Sequence, residues 1–138
     1  MKRYDEIPHT SDLAVRIYGK TVPELFENAA YAMFNLTGDI NNLKTDEVDK
    51  VEVSASDNET LLISWLSELL YLAYSKKALF SEFHIISLKE NKLIAEIKGE
   101  KISGDKSRLR SEIKAATYHD LEIKKTSAGF EVTIVFDV

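Results

Sequence analysis

Asp12 sits at the mouth of an alternating apolar run, three residues after His9, in the stretch Pro8-His9-Thr10-Ser11-Asp12. At the far end of the 138 residues, Phe136-Asp137-Val138 closes a second alternating run. Two side-chain carboxylates and an α-carboxylate on Val138, taken as the last residue, form an oxygen-only donor set. Brought together, such groups repel unless a hard cation neutralises them. Magnesium or calcium suits the set. Zinc suits it less, because there is no cysteine and the three histidines are scattered. His9 is placed to hydrogen-bond Asp12 and fix its orientation. Residue types alone also allow a turn-capping Asp12, a solvated Asp137 and a turn histidine.

A second candidate group is Lys114-Ala115-Ala116-Thr117-Tyr118-His119. On a regular strand Lys114, Ala116 and Tyr118 share one face, and Ala115, Thr117 and His119 the other. A lysine among small residues presents its charge to a phosphate or carboxylate; the plainer alternative is a solvent-facing Lys114 beside a half-buried Tyr118. Lys106, Arg108 and Arg110 form a basic run in an otherwise acidic chain, either a docking patch or a solvated loop. His84 reads as an ordinary strand histidine. There is no phosphate loop of the GxxxxGK[ST] type, no GxSxG and no HExxH. No nucleophile–base constellation appears.

The elements that must position these groups are legible in outline. Leu13, Val15 and Ile17 alternate on one face of a strand that Gly19 ends. Thr21-Val22-Pro23-Glu24 is a capping box with Pro in the first turn, so Glu24 is expected to reach back to the Thr21 amide. Val22, Leu25, Phe26, Ala29, Ala30, Met33 and Phe34 then mark one face of a helix over 22–37, with Gly38 as its C-terminal cap. Residues 39–49 read as a loop, and Val51 and Val53 as a short strand. Ser56 to Glu59 offers a second capping box before a helix running to about residue 75. That helix carries the only Trp and is expected to be the central buried one.

From residue 82 the period becomes two. Residues 83–88 and 92–98 form a hairpin around Asn91, with Leu93, Ala95 and Ile97 inward. Residues 99–110 read as a long or mobile connection, 113–125 as further strand, and Ala128-Gly129 as a turn. Phe130, Val132, Ile134 and Phe136 then alternate to the end. Strand, helix, strand, helix and four hairpin-linked strands indicate an α+β fold. Mainly antiparallel sheet packs with two amphipathic helices in a single domain over 1–138.

Composition bounds the function. A chain of this length builds a core without staples, and the absence of cysteine excludes disulfides and thiol chemistry. The formal net charge of −5 argues against strong direct nucleic-acid binding and suits a cation or a basic protein partner. No signal peptide is visible, and the longest apolar window, 61–74, is too short and too polar to span a bilayer. The expected location is cytoplasmic, with no membrane association.

The sequence resembles the archease family. His9-Thr10-Ser11-Asp12-Leu13 is similar to its HTAD signature, Lys114 to His119 to its K-A-x-T-Y-H segment, and Val135-Phe136-Asp137-Val138 to its closing Asp plus aliphatic residue. Ser11 stands where Ala is common, Ala14 where Gly is common, and Asp120 where Gly is frequent. The resemblance implies an accessory protein, not an enzyme: an activator of RtcB-type RNA ligases in tRNA splicing that promotes ligase guanylylation and multiple turnover. An older family reading is a chaperone-like modulator of a tRNA methyltransferase. A metal-dependent hydrolase is the alternative from a different class. The family's divalent-cation site, calcium or magnesium, maps onto Asp12, Asp137 and Val138. Lys114 maps onto the activation residue, and Thr117, Tyr118, His119 and His9 onto supporting positions.

Overall fold

Two antiparallel sheets enclose the helices. The computed structural model describes residues 2–7 and 12–138. β1 (Tyr4–Ile7) pairs with β2 (Leu13–Gly19), and β2 pairs along its whole length with β8 (Gly129–Asp137). β6 (Ala115–Ala116) and β7 (Lys124–Thr126) both pair with the other edge of β8, at its two ends. The second sheet has the order β3 (Glu47–Ser54), β5 (Lys92–Lys101), β4 (Ala78–Lys89). Every pairing among the described residues is antiparallel, so the α+β reading stands.

α1 spans Val22–Thr37, as the apolar spacing predicts. Thr21 caps it by accepting the Glu24 amide hydrogen bond at 3.2 Å. Glu24 accepts from the Lys20 amide at 3.0 Å, one residue before the donor a capping box would use. Gly38 is the C-cap, but with extended backbone (φ −168°), because the chain leaves through a bridge to Leu109.

α2 spans Asn58–Lys76. Its cap is Asp57, not Ser56, and Asp57 accepts from the Thr60 amide at 2.7 Å. Glu59 is thereby free to accept the Ile123 amide at 3.0 Å. The Thr60 bond holds the Asp57 carboxyl below the ordinary aspartate range. With the folded pKa below the unfolded one, this contribution is fully present above the unfolded value and is lost as pH falls through the folded one. Urea midpoints of the wild type should therefore drop more between about pH 5 and about pH 2 than those of Asp57→Asn, which keeps a cap without a charge. Parallel curves would remove Asp57 from the acid response.

α1, not α2, is the more enclosed helix. No α1 residue is exposed, whereas Ser67, Tyr71, Tyr74 and Ser75 of α2 are. The cause is position: α1 touches β2 and β8 on one side and β4 on the other. Phe34 stacks on Phe83 and meets Phe80 edge-on, with centroids 5.5 and 5.8 Å apart. Glu27 also accepts the Ile85 amide at 2.9 Å, so α1 covers part of the β4 edge. Leu93, Ala95 and Ile97 point inward, as their alternation requires.

Several sequence expectations need correction. β1 was not expected. β4 begins at Ala78, straight after α2, and β5 continues to Lys101. Of residues 113–125, only 115–116 and 124–125 are strand, with a left-handed turn at Asp120 (φ 47°) between them. The 99–110 stretch is the end of β5 followed by a connection tied to the rest of the fold. It holds a 3₁₀ turn (Lys106–Arg108) and is bonded to both helix ends, Arg110 to the Thr37 carbonyl at 2.8 Å and Ile102 to the Lys77 carbonyl at 2.8 Å. No helix among the described residues is long and apolar enough to cross a membrane.

Candidate functional site

The β2–β8 pairing decides which of the candidate residues meet. Its last register pair is Leu13 with Phe136, so Asp12 and Asp137 each lie one residue beyond it, at the same end of the sheet. By the alternation of the pleat, Asp12 and Asp137 share the face of Ala14, Arg16, Val135 and Thr133. Val15, Ile17, Val132, Ile134 and Phe136 fill the opposite, buried face. β6 brings in the second group. Ala115 pairs with Asp137, and the Lys114 amide donates to the Asp137 carbonyl at 2.7 Å. Asp12, Asp137, Val138 and Lys114 thus gather at one sheet end, although by the same pleat Ala115 shares the Asp137 face while Lys114 falls with Ala116 and Phe136 on the other. Asp12 is half-buried, and the other three are exposed.

The supporting residues divide. Thr117 fixes the backbone: its amide and its hydroxyl both donate to the Val135 carbonyl, at 3.0 and 2.8 Å. It ties the Lys114 segment to β8 and leaves its hydroxyl little capacity for a ligand. Tyr118 and His119 lie outside the short strand and are exposed, so the two-face assignment of a regular strand fails beyond Ala116. His119 Nε2 lies 3.3 Å from Asp120. The left-handed Asp120 closes the turn in which the Leu121 amide donates to the Tyr118 carbonyl. A glycine would hold that conformation with less strain. His9 falls outside the described residues.

The candidate donors among the described residues at this sheet end are oxygen: two side-chain carboxylates and main-chain oxygen of Val138. In kind this fits a hard cation rather than zinc. Among the described residues no three His, Asp or Glu side chains come close enough to hold a metal ion between them. Among the described residues, side chains therefore supply no more than the Asp12 and Asp137 carboxylates.

Sequence reasoning missed a neighbouring feature. An open, polar cleft of about 690 Å³ lies over the same face, between Arg16 and Thr133 of the sheet and the 118–122 turn. Its signal was available in the polar residues at alternate positions of the two pairing strands, Arg16 on β2 and Glu131 and Thr133 on β8.

The elements and this sheet end define a small two-sheet α+β protein whose polar residues converge on an exposed edge instead of an enclosed pocket. The model of the archease protein family (MTH1598/TM1083) matches residues 4–138. The chain belongs to the archease family. It is 39% identical to the archease of Methanosarcina barkeri over 99% of this chain and 97% of that protein. It is 34% identical to the archease of Sulfurisphaera tokodaii over the full length of both. The solution structure of Methanobacterium thermoautotrophicum protein 1598 superposes with a TM-score of 0.87 at 33% identity over all of both chains. A Thermotoga maritima archease, described as a possible chaperone, superposes with a TM-score of 0.67 over 96% of this chain and 94% of that one. At 23% identity that likeness is one of fold.

Proposed function

We propose that this chain is a cytoplasmic, non-catalytic accessory protein that activates an RtcB-type tRNA-splicing RNA ligase by promoting its guanylylation and multiple turnover. The observation that carries the reading is the convergence of Asp12, Asp137 and Val138 with Lys114 on one exposed sheet end of an archease chain. Asp12 and Asp137, with Val138 main-chain oxygen, would hold a calcium or magnesium ion. Such an ion supplies positive charge that neutralises the carboxylates and attracts phosphate oxygens. Lys114, exposed at the same sheet end, would present an ammonium group to phosphate or to an acidic group of the partner. Thr117 holds this segment in register, and exposure at the sheet end lets the group enter a partner's cleft.

Guanylylation of the ligase, followed with labelled GTP, tests the reading. Asp12→Ala should lower the stimulation about tenfold or more, an effect of the size seen when a metal site loses its support. Asp46→Ala, in the exposed loop before β3, should match the wild type. Equal stimulation by wild type and Asp12→Ala would sink the role of Asp12. Turnover of a phosphoester by the isolated protein would replace the reading with a metal-dependent hydrolase. Recovery of a tRNA methyltransferase instead of a ligase in a pull-down would favour the chaperone-like reading.

A further inference from the structure

A second surface lies apart from the carboxylates. Between the C-terminal halves of the two helices and the 102–113 connection runs a groove of about 590 Å³. Leu70, Ala73, Ile102, Leu109 and Ile113 make its walls largely apolar. Large apolar side chains are exposed here: Tyr74 (55%) and Leu109 (45%) line the groove, and Tyr71 (64%) lies one helical turn before Tyr74. The walls are held in place. Arg110 and Ile102 bond the ends of both helices through the backbone, and the Tyr74 hydroxyl donates to the Ile113 carbonyl at 3.3 Å.

The rim is basic in a protein of net charge −5. Lys77, Lys106 and Arg110 line it, and none forms an ion pair with a described residue. Two carboxylates, Asp105 and Glu112, share the rim with these three cations, so its balance is only slightly positive. Asp105 accepts the amide and hydroxyl of Ser107, and Glu112 accepts the Tyr74 hydroxyl at 3.5 Å. Arg108 is not part of this set, because it is paired with Glu100 at 3.0 Å. Arg110 also serves the fold, its guanidinium donating to the Asn35 carbonyl at 2.8 Å, which leaves Lys106 as the member of the basic run whose side chain has no hydrogen bond or ion pair to a described residue.

We propose that this groove is a docking site for a partner-protein segment carrying an apolar side chain flanked by carboxylates. The groove's volume lies within the range that buries a compact apolar group. The cations come from three separate points, the end of α2, the 3₁₀ turn and the strand-like return to α1. That spread matches carboxylates distributed along a chain better than one compact anionic headgroup. Charge around an apolar anchor gives orientation and association rate, while the anchor gives residence. The inference does not depend on which enzyme the protein serves.

Amide shifts of the labelled full chain, titrated with three probes, test it. The probes are an acetylated Asp-Glu-Leu-Phe-Glu-Asp amide, its counterpart with lysine at every acidic position, and decanoate. The acidic peptide should move amides of residues 70–77 and 102–113 and leave those of β2 and β8 in place. Binding should weaken about tenfold in Lys106→Glu/Arg110→Glu. It should weaken likewise as salt rises from about 0.05 M to about 0.5 M. Leu109→Ser, an exposed side chain whose backbone bridge to Gly38 is retained, should weaken it without lowering the melting temperature. Equal shifts from both peptides, shifts elsewhere, or no groove shifts from the acidic peptide at millimolar concentration would overturn the proposal. Groove shifts from decanoate alone would do the same, in favour of a small anionic amphiphile.

Discussion

Gly99→Ala is expected to cost about 3 kcal/mol of stability or more, or to leave no folded protein at working temperature. Gly99 pairs with Phe80 in the centre of the second sheet and also with Glu47 on the other side. A Cβ there would overlap the Leu79 carbonyl oxygen and lie 2.7 Å from Phe80 Cα. Both are backbone atoms, so no rotamer change relieves the overlap. Two strand pairings would have to shift together. Gly104→Ala is the contrast. Its φ is +89°, but nothing lies within 4 Å of the added carbon, so its cost is conformational and about 1 kcal/mol. Urea denaturation of the two variants separates them. Equal losses would mean that the close approach of β4 to β5 yields easily.

Trp65→Ala should lower stability by about 3–5 kcal/mol. Trp65 is fully buried in α2, and its indole Nε1 donates to the Phe26 carbonyl of α1 at 3.0 Å. The ring is thus a packed filler between the helices and a polar tie between them. Trp65→Phe isolates the tie. Most of the apolar volume remains, and the Phe26 carbonyl keeps its place in the helical ladder, so the loss should be about 1 kcal/mol. A phenylalanine variant as unstable as the alanine variant would assign the main effect to the hydrogen bond.

What was legible in the sequence follows from where local rules suffice. α1 and α2 were readable because cap residues and an apolar stripe at helical spacing act within one element. β2, β5 and β8 were readable because large apolar residues alternate along one face of each, even though Ala14 and Val135 are buried on the other. β1 was not, since Tyr4-Asp5-Glu6-Ile7 shows no alternation and owes its strand form to pairing with β2. The start of β4 was hidden because Ala78, Leu79 and Phe80 are all buried, and the register shifts after Phe80 and after Ile85 break the period of two. Residues 113–125 looked like one strand because apolar residues alternate there, yet the left-handed Asp120 divides them.

The site was legible as chemistry but not as geometry. Carboxylates at two strand ends invited a shared cation, but only the Leu13–Phe136 register places them at one sheet end. Thr117, read as a supporting site residue, serves the backbone through Val135. The basic run could not be sorted from composition, because the pairing of Arg108 with Glu100 depends on how the connection folds back on β5.

β8 is the strand to which β2, β6 and β7 all attach, and it occupies residues 129–137. During synthesis, then, the first sheet lacks its common member until nearly all of the described chain has been made. β1 and β2 can form a hairpin early, but their apolar face has no lasting cover, and pairing across so long a separation is slow. Asp12 acquires Asp137 and Lys114 as neighbours only in that same late step. A chain stopped before β8 would lack the closed first sheet and the Asp12–Asp137 neighbourhood together.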